Sequence, residues 1–193
     1  MKIGLYGGTF DPIHNAHLII SQYIKEELHL DKVIFIPSAY PPHKSTFSQP
    51  EIRLKMVYSA IKNNPSFECS ELEIHQKRQT YSVDTIKQMK DRLNDSGCEL
   101  FWIMGSDNFI SFDTWKNPQE ICAIARLIIF PRNHKDVQLT SHKFKEQAIY
   151  LEKAPIIDIS STYVRSLVKS GRSIKYLVPE IVEDIIVKEK LYV

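Results

Sequence analysis

The chain has 193 residues, of which 43% are hydrophobic and 25% are charged, and this balance predicts one globular core of ordinary size. Lysine and arginine number 25 against 23 acidic residues, so a net charge of +2 argues against recruitment of nucleic acid or a membrane by the overall field. The apolar run after Lys2 breaks at Gly7, which is too early for a signal peptide, and no segment reaches membrane-spanning length.

Short apolar runs alternate with longer amphipathic segments along the chain. The runs predict strands at residues 2–6, 32–37, 67–74, 99–105, 126–131 and 155–159. The amphipathic segments predict helices at residues 15–28, 51–63, 82–95, 118–125, 161–171 and 179–190. Several of the strands are almost continuously apolar, as in a parallel sheet that is buried on both faces.

This alternation predicts an α/β fold of the Rossmann-like, doubly wound type, with a mostly parallel sheet flanked by helices. We expect one domain over residues 1–193, with the Rossmann core to about residue 160 and a helical part from about 161. Residues 38–50 and 133–147 have no regular pattern and predict loops.

The three cysteines, Cys69, Cys98 and Cys122, are odd in number and widely spaced. This usage predicts reduced, mostly buried thiols of a cytoplasmic protein rather than a disulfide framework or a zinc site.

The stretch GGTFDPIHNAH follows the first predicted strand, where a doubly wound sheet binds its ligands. Gly7 and Gly8 allow a ligand to approach the backbone, and the helix that follows offers N–H groups to a phosphate. His14 and His17 are three residues apart, so they share one helix face and can both donate to phosphate oxygens. Two structural histidines, or a metal pair that lacks a third ligand, are the alternatives.

A second polar group, ISSTYVR, follows the last predicted strand. Ser160 and Ser161 lie at the start of a predicted helix, where hydroxyl side chains are most often simple N-caps. Arg165 lies one turn further along, and its guanidinium can hold phosphate oxygens in a bidentate way. The group therefore favours a second set of phosphate ligands.

GGTFDPIHNAH and ISSTYVR together resemble the two signatures of the nucleotidyltransferase superfamily, an H-x-G-H element and an S-S/T-x-x-R element. Within that superfamily, YPPHK at 40–44, TYSVDT at 80–85, GSDN at 105–108 and the tryptophan at 115 resemble the nicotinate-nucleotide adenylyltransferases. These enzymes make deamido-NAD from ATP and nicotinate mononucleotide. The resemblance covers nearly the whole chain, with the motifs in order.

The resemblance implies a division of roles, with His14, His17 and Arg165 as the catalytic residues. His14 and His17 would hold the ATP phosphates, and Arg165 would bind the leaving pyrophosphate with the two serines. The implied ATP-binding set is Gly7, Gly8, Thr9, Phe10, His14, His17, Gly105, Asp107, Ile159, Ser160, Ser161 and Arg165. The implied set for nicotinate mononucleotide is Thr9, Phe10, Lys44, Tyr81, Ser82, Thr85, Asp107, Trp115 and Lys116.

In the second set, the resemblance implies that Trp115 stacks on the pyridine ring and that backbone amides around Tyr81, Ser82 and Lys116 receive the nicotinate carboxylate. Lys44 would reach the phosphates, and Asp107 would bind nucleotide hydroxyl groups. From the residues alone, a core aromatic at 115, a solvated lysine at 44 and a helix cap at 107 stay as alternatives.

No carboxylate cage for Mg²⁺ stands out in the sequence, so we expect no metal site built by the protein and Mg²⁺ carried by the ATP phosphates. We expect small-molecule partners, with no nucleic acid and no membrane, and leave a homo-oligomer open. Two alternative hypotheses remain open. The chain could be a sister transferase, such as phosphopantetheine adenylyltransferase or a cytidylyltransferase, or a non-catalytic nucleotide-binding module.

The sequence departs from the family pattern at two places. Ala16 stands where H-x-G-H has glycine, and PRNHK follows the strand at 126–131 where relatives tend to have R-P-G. Because of the second departure, the resemblance implies no particular contacts for Arg132 and its loop.

Overall fold

The computed structural model describes residues 1–41, 46–76, 78–93, 97–132 and 143–193. In these ranges the strands are β1 (Lys2–Gly8), β2 (Lys32–Pro37), β3 (Phe67–Cys69), β4 (Glu99–Gly105), β5 (Arg126–Phe130) and β6 (Ala148–Tyr150). They form a six-stranded sheet in the order β3-β2-β1-β4-β5-β6. The pairs β1–β4, β4–β5 and β5–β6 are parallel. The predicted Rossmann-like α/β fold is confirmed.

The helices connect successive strands or follow the sheet. They are α1 (Asn15–Glu27), α2 (Pro50–Ile61), α3 (Ser82–Leu93), α4 (Ser106–Ile110), α5 (Pro118–Ile124), α6 (Ser161–Lys169) and α7 (Glu180–Lys188). Pro50 and Pro118 each lie in a first helical turn, where proline's missing N–H costs no hydrogen bond. The six predicted helices are confirmed with small shifts at their ends, whereas α4 and the 3-10 turn Phe112–Thr114 were not predicted.

Two of the strand predictions are wrong in their position or extent. Residues 155–159 form no strand, and the sixth strand is Ala148–Tyr150, which pairs three residues with Leu127–Ile129 of β5. The strand predicted at 67–74 ends at Cys69. Leu72 and Ile74 lie in the turn that follows, and their apolar side chains are buried there.

The interior strands are buried along nearly their whole length. In β2, β4 and β5 every residue after the first is buried, which is the pattern expected of strands covered on both faces. The ends of these strands therefore carry the residues that can reach a ligand.

The chain divides into two compact units. The first comprises Met1–Gly7, Ile20–Ile34 and Tyr81–Asp158, and the second comprises Gly8–Ile19, Phe35–Thr80 and Ile159–Val193. The expected organisation of residues 1–193 as one domain with a helical part from about 161 stays a prediction. Of the helices in the described ranges, none has both the length and the apolar character needed to cross a membrane.

Cys69, Cys98 and Cys122 are thiols, and each is half-buried rather than fully buried. Burial raises the pKa of Cys69 to about 12 and that of Cys122 to about 11. Both thiols are therefore almost entirely protonated at neutral pH, which makes them poor nucleophiles.

Candidate active site

In the second unit, the segment that leaves β1 follows a path that only certain side chains allow. A Cβ on Gly8 would lie 2.8 Å from the Phe10 ring, so this position requires glycine. Phe10 has a φ of 49° and a buried ring, whose centroid lies 5.0 Å from that of His17 and 5.8 Å from that of Phe35. Packing of this ring offsets the unfavourable backbone conformation and fixes the loop before α1.

His14 and His17 lie together at the start of α1. Their rings stack with centroids 3.6 Å apart and planes 24° apart, and His14 is buried. The main-chain N–H of His14 donates to Nδ1 of His17 over 3.1 Å, so the third helical residue accepts from the N-cap residue as in a capping box. Because Nδ1 accepts, a neutral His17 carries its proton on Nε2, where it can donate to a ligand.

This stacked arrangement differs from that of a chelating pair. Within the described ranges, no three histidine, cysteine, aspartate or glutamate side chains are grouped so that they could hold a metal ion. Ala16 stands at the glycine position of the H-x-G-H element, and its side chain is buried.

The first turn of α6 contacts the loop that precedes His14. Ser160 is the N-cap of α6 and its Oγ accepts from the N–H of Tyr163 over 3.1 Å, as the capping alternative expected. The Ser161 hydroxyl donates to the carbonyl of Pro12 over 2.8 Å, and Arg165 Nη1 donates to the carbonyl of Asp11 over 2.7 Å. We call His14, His17, Ser160, Ser161 and Arg165, for which the sequence predicts phosphate binding, the phosphate cluster.

Arg53 of α2 is a fully buried side chain that the sequence analysis missed. Its guanidinium donates to the carbonyls of Thr9 over 2.8 Å, of Ala39 over 2.9 Å and of Ser48 over 3.3 Å, and also to that of Ser38. Burial lowers the pKa of Arg53, and the charge of Asp11 works against this shift. One side chain therefore ties the loops after β1 and β2 to the start of α2.

In the first unit, Asp107 lies in α4 immediately beyond the end of β4. A Cβ on Gly105 would overlap Asp107 Oδ1 and Arg132 Cγ, so glycine is needed for this close approach. The N-cap of α4 is Gly105 and not Asp107. The Asp107 carboxylate is exposed. Arg132 Nε lies 3.8 Å from Asp107 Oδ1, and its main-chain N–H donates to Ser106 Oγ over 2.9 Å. Arg132 is thus held by contacts with Asp107 and Ser106.

A second group in the first unit surrounds Lys116. Its Nζ lies 3.1 Å from Asp84 Oδ2 and 4.5 Å from the centre of the Tyr81 ring, so two partners fix the lysine. The half-buried Trp115 packs against Phe112, with ring centroids 5.4 Å apart. We call Tyr81, Asp84, Trp115 and Lys116 the pyridine cluster, after the ring that the resemblance implies for Trp115.

The remaining residues of the implied sets have different surroundings. Thr85 is fully buried and its hydroxyl donates to the Tyr81 carbonyl over 3.3 Å, so it supports Tyr81 from behind. Ser82 is the first residue of α3. Gly7 packs closely on Trp102, since a Cβ at this position would lie 2.5 Å from the Trp102 ring. Ile159 is half-buried. Lys44 lies outside the described residues.

The sequence is similar to a known protein family and to individual proteins along nearly its full length. Residues 5–167 match the cytidylyltransferase-like family. The probable nicotinate-nucleotide adenylyltransferase of Dictyoglomus thermophilum is 40% identical and covers 100% of both chains. That of Clostridium novyi is 38% identical over 99% of this chain and 98% of the relative.

A likeness to a solved structure supports the fold. Plasmodium falciparum nicotinic acid mononucleotide adenylyltransferase, complexed with NaAD, superposes with a TM-score of 0.79 at 22% identity, covering 99% of this chain and 97% of that one.

Proposed function

The chain belongs to the cytidylyltransferase-like family and, within it, to the nicotinate-nucleotide adenylyltransferases, and from this membership we propose how its residues divide the work of the reaction. It transfers the adenylyl group of ATP to nicotinate mononucleotide in NAD biosynthesis, giving deamido-NAD and pyrophosphate. The observation that carries the residue assignment is the stacked pair of His14 and His17, with α6 bound to the loop before it.

The reaction requires little covalent chemistry from the protein. An oxygen of the acceptor's 5′-phosphate attacks the α-phosphorus of ATP, a new P–O bond forms, and the bond from that phosphorus to the bridging oxygen breaks. The electron pair of the broken bond leaves with pyrophosphate. Because the acceptor phosphate is already an anion, alignment and stabilisation of the departing charge are the main tasks of the enzyme.

We assign these tasks to the phosphate cluster. The Nε2 proton of His17 is the donor to the phosphate oxygens at the reacting phosphorus, since Nδ1 is already bound by the His14 amide. The guanidinium of Arg165 takes the charge that develops on pyrophosphate, with the hydroxyls of Ser160 and Ser161 and the N-terminus of α6 beside it. His14, stacked on His17, adds a second imidazole to the ATP phosphates.

Residues of the first unit are proposed to bind the nucleoside parts. The exposed Asp107 carboxylate accepts from nucleotide hydroxyl groups, and Gly105 gives the backbone room for that contact. Trp115 stacks on the pyridine ring, while main-chain amides near Tyr81, Ser82 and Lys116 receive the carboxylate. The ion pair of Lys116 with Asp84 holds the backbone of that segment in place.

For a divalent metal, the described residues offer no protein cage, because no three potential ligand side chains among them are grouped. We therefore propose that Mg²⁺ enters with the ATP phosphates as part of the substrate. The three thiols fit a reducing compartment, and we propose the cytoplasm.

Pyrophosphate release from Mg-ATP tests the acceptor assignment, with nicotinate mononucleotide, nicotinamide mononucleotide and phosphopantetheine supplied in parallel. We expect fast release with the first and little with the other two. Release with phosphopantetheine alone, or with none of the three, would overturn the acceptor assignment.

Trp115→Ala is expected to raise the KM for nicotinate mononucleotide by roughly tenfold, because an aromatic stack contributes about 0.5–1.5 kcal/mol beyond its buried area. The KM for ATP should stay within about twofold, and Trp115→Phe, which keeps a stacking ring, should recover most of the loss. Steady-state kinetics with each substrate varied in turn measure this. An equal rise in both KM values would contradict the stacking role.

A further inference from the structure

Tyr192 is the penultimate residue of the chain, yet its side chain is bound within the second unit. Its hydroxyl donates to Asp11 Oδ1 over 2.6 Å and accepts from Ser48 Oγ over 2.9 Å. Its backbone has a φ of 64°, a left-handed conformation that a tyrosine seldom adopts without a compensating contact. These two hydrogen bonds supply that contact.

Asp11 is buried and is the hub of this network. Its second carboxylate oxygen, Oδ2, accepts from the main-chain N–H of Phe47 over 2.7 Å and from that of Ser48 over 3.3 Å. Its own main-chain carbonyl accepts from Nη1 of Arg165 over 2.7 Å. Asp11 therefore accepts hydrogen bonds both from the Tyr192 hydroxyl and from Arg165 of the phosphate cluster.

Phe47 completes a second route to the same arginine. Its ring faces the guanidinium of Arg165, with the central carbon 4.3 Å from the ring centre. The backbone of Phe47 is in turn held by the Asp11 carboxylate. Thus the carbonyl and the aromatic ring that locate this guanidinium both depend on Asp11, while Thr162 Oγ1 accepts from its other end over 3.1 Å.

The phenol of Tyr192 stays a hydrogen-bond donor over a wide pH range. Burial and the hydrogen bond to Asp11 raise the pKa of Tyr192, so the hydroxyl keeps its proton at neutral pH. Both oxygens of the Asp11 carboxylate thus accept hydrogen bonds, and removal of the Tyr192 hydroxyl takes away the donor to Oδ1.

We propose that Tyr192 is a positioning residue for adenylyl transfer: its hydroxyl holds Asp11 so that the Asp11 carbonyl and the Phe47 ring aim Arg165 at the leaving pyrophosphate. This inference rests on the role proposed above for Arg165. It assigns to the segment that follows α7 a part in the chemistry as well as in the packing.

The test is a double-mutant cycle between Tyr192→Phe and Arg165→Ala. Tyr192→Phe keeps the ring and removes the hydroxyl, and we expect kcat to fall by about 10- to 100-fold, as a misplaced catalytic group does, while both KM values change by less than about twofold. In the Arg165→Ala background the same substitution should lower kcat no further, because the group it positions is gone.

Tyr58→Phe is the matched control, since Tyr58 is 65% exposed on α2 and its substitution should leave kcat unchanged. Equal losses from Tyr192→Phe in both backgrounds, or none in either, would overturn the positioning role. Near-normal kcat in Arg165→Ala alone would instead overturn the proposed role of the arginine. Should Tyr192→Phe not fold, Ser48→Ala, which removes only one bond to the phenol, enters the same cycle with the same expected pattern and a smaller loss.

Discussion

Replacing His17 by alanine is expected to lower kcat by about 10²–10³-fold, the usual cost of deleting one donor that stabilises a transition state. The alanine variant loses the Nε2 donor and also the Nδ1 acceptor that binds the His14 amide. His17→Gln can place an amide donor near the same position and should lose less activity than the alanine variant.

Steady-state pyrophosphate release with saturating ATP and nicotinate mononucleotide gives the measurement. His75→Ala serves as the control, because the His75 side chain is 74% exposed and pairs with Glu71 on the surface. Near-normal turnover in His17→Ala, with the control also normal, would remove His17 from the catalytic residues.

Replacing Arg53 by alanine is expected to lower the free energy of unfolding by about 3–5 kcal/mol, because the variant removes the donor from four carbonyl oxygens, two of them in buried hydrogen bonds. The oxygens belong to Thr9, Ser38, Ala39 and Ser48, so the loss falls on the loops after β1 and β2 and on the segment before α2. Activity should fall together with stability.

Chemical denaturation of Arg53→Ala and Arg53→Lys measures this effect, and the lysine variant, which keeps a charge but not the planar fork, should be intermediate. Arg172→Ala is the comparison, since Arg172 is exposed and its substitution should stay within about 0.5 kcal/mol. Unfolding of Arg53→Ala at the same denaturant concentration as the parent would contradict a structural role for this arginine.

The strands that the sequence predicts correctly are those buried on both faces. β2 and β4 have the predicted bounds because five or more consecutive apolar or small residues mark them clearly. The edge strand β6 is only three half-buried residues long, AIY, whereas PIIDI at 155–159 has the longer apolar run. Pairing with a neighbour, rather than local composition, decides which segment becomes the strand.

The candidate site shows the same division between local and distant information. His14 and His17 follow the end of β1 and Arg165 lies in α6, and all three could be found from their spacing and chemistry. Tyr192 lies 181 residues from Asp11, so no periodicity in the sequence connects them. Arg53 lies among the buried residues of an amphipathic helix, and only its four carbonyl partners in the fold reveal why a charge is accepted there.

The hydrogen bond between the His14 amide and His17 Nδ1 also affects the net charge around the phosphates that His17 is proposed to bind. In many enzymes a carboxylate orients the catalytic imidazole, and its negative charge stabilises an imidazolium. Here a peptide N–H does the orienting, and it carries no net charge. Two anionic substrates can then approach the ring without like-charge repulsion from its orienting partner, while the Asp11 carboxylate in the preceding loop is turned toward three donors of its own.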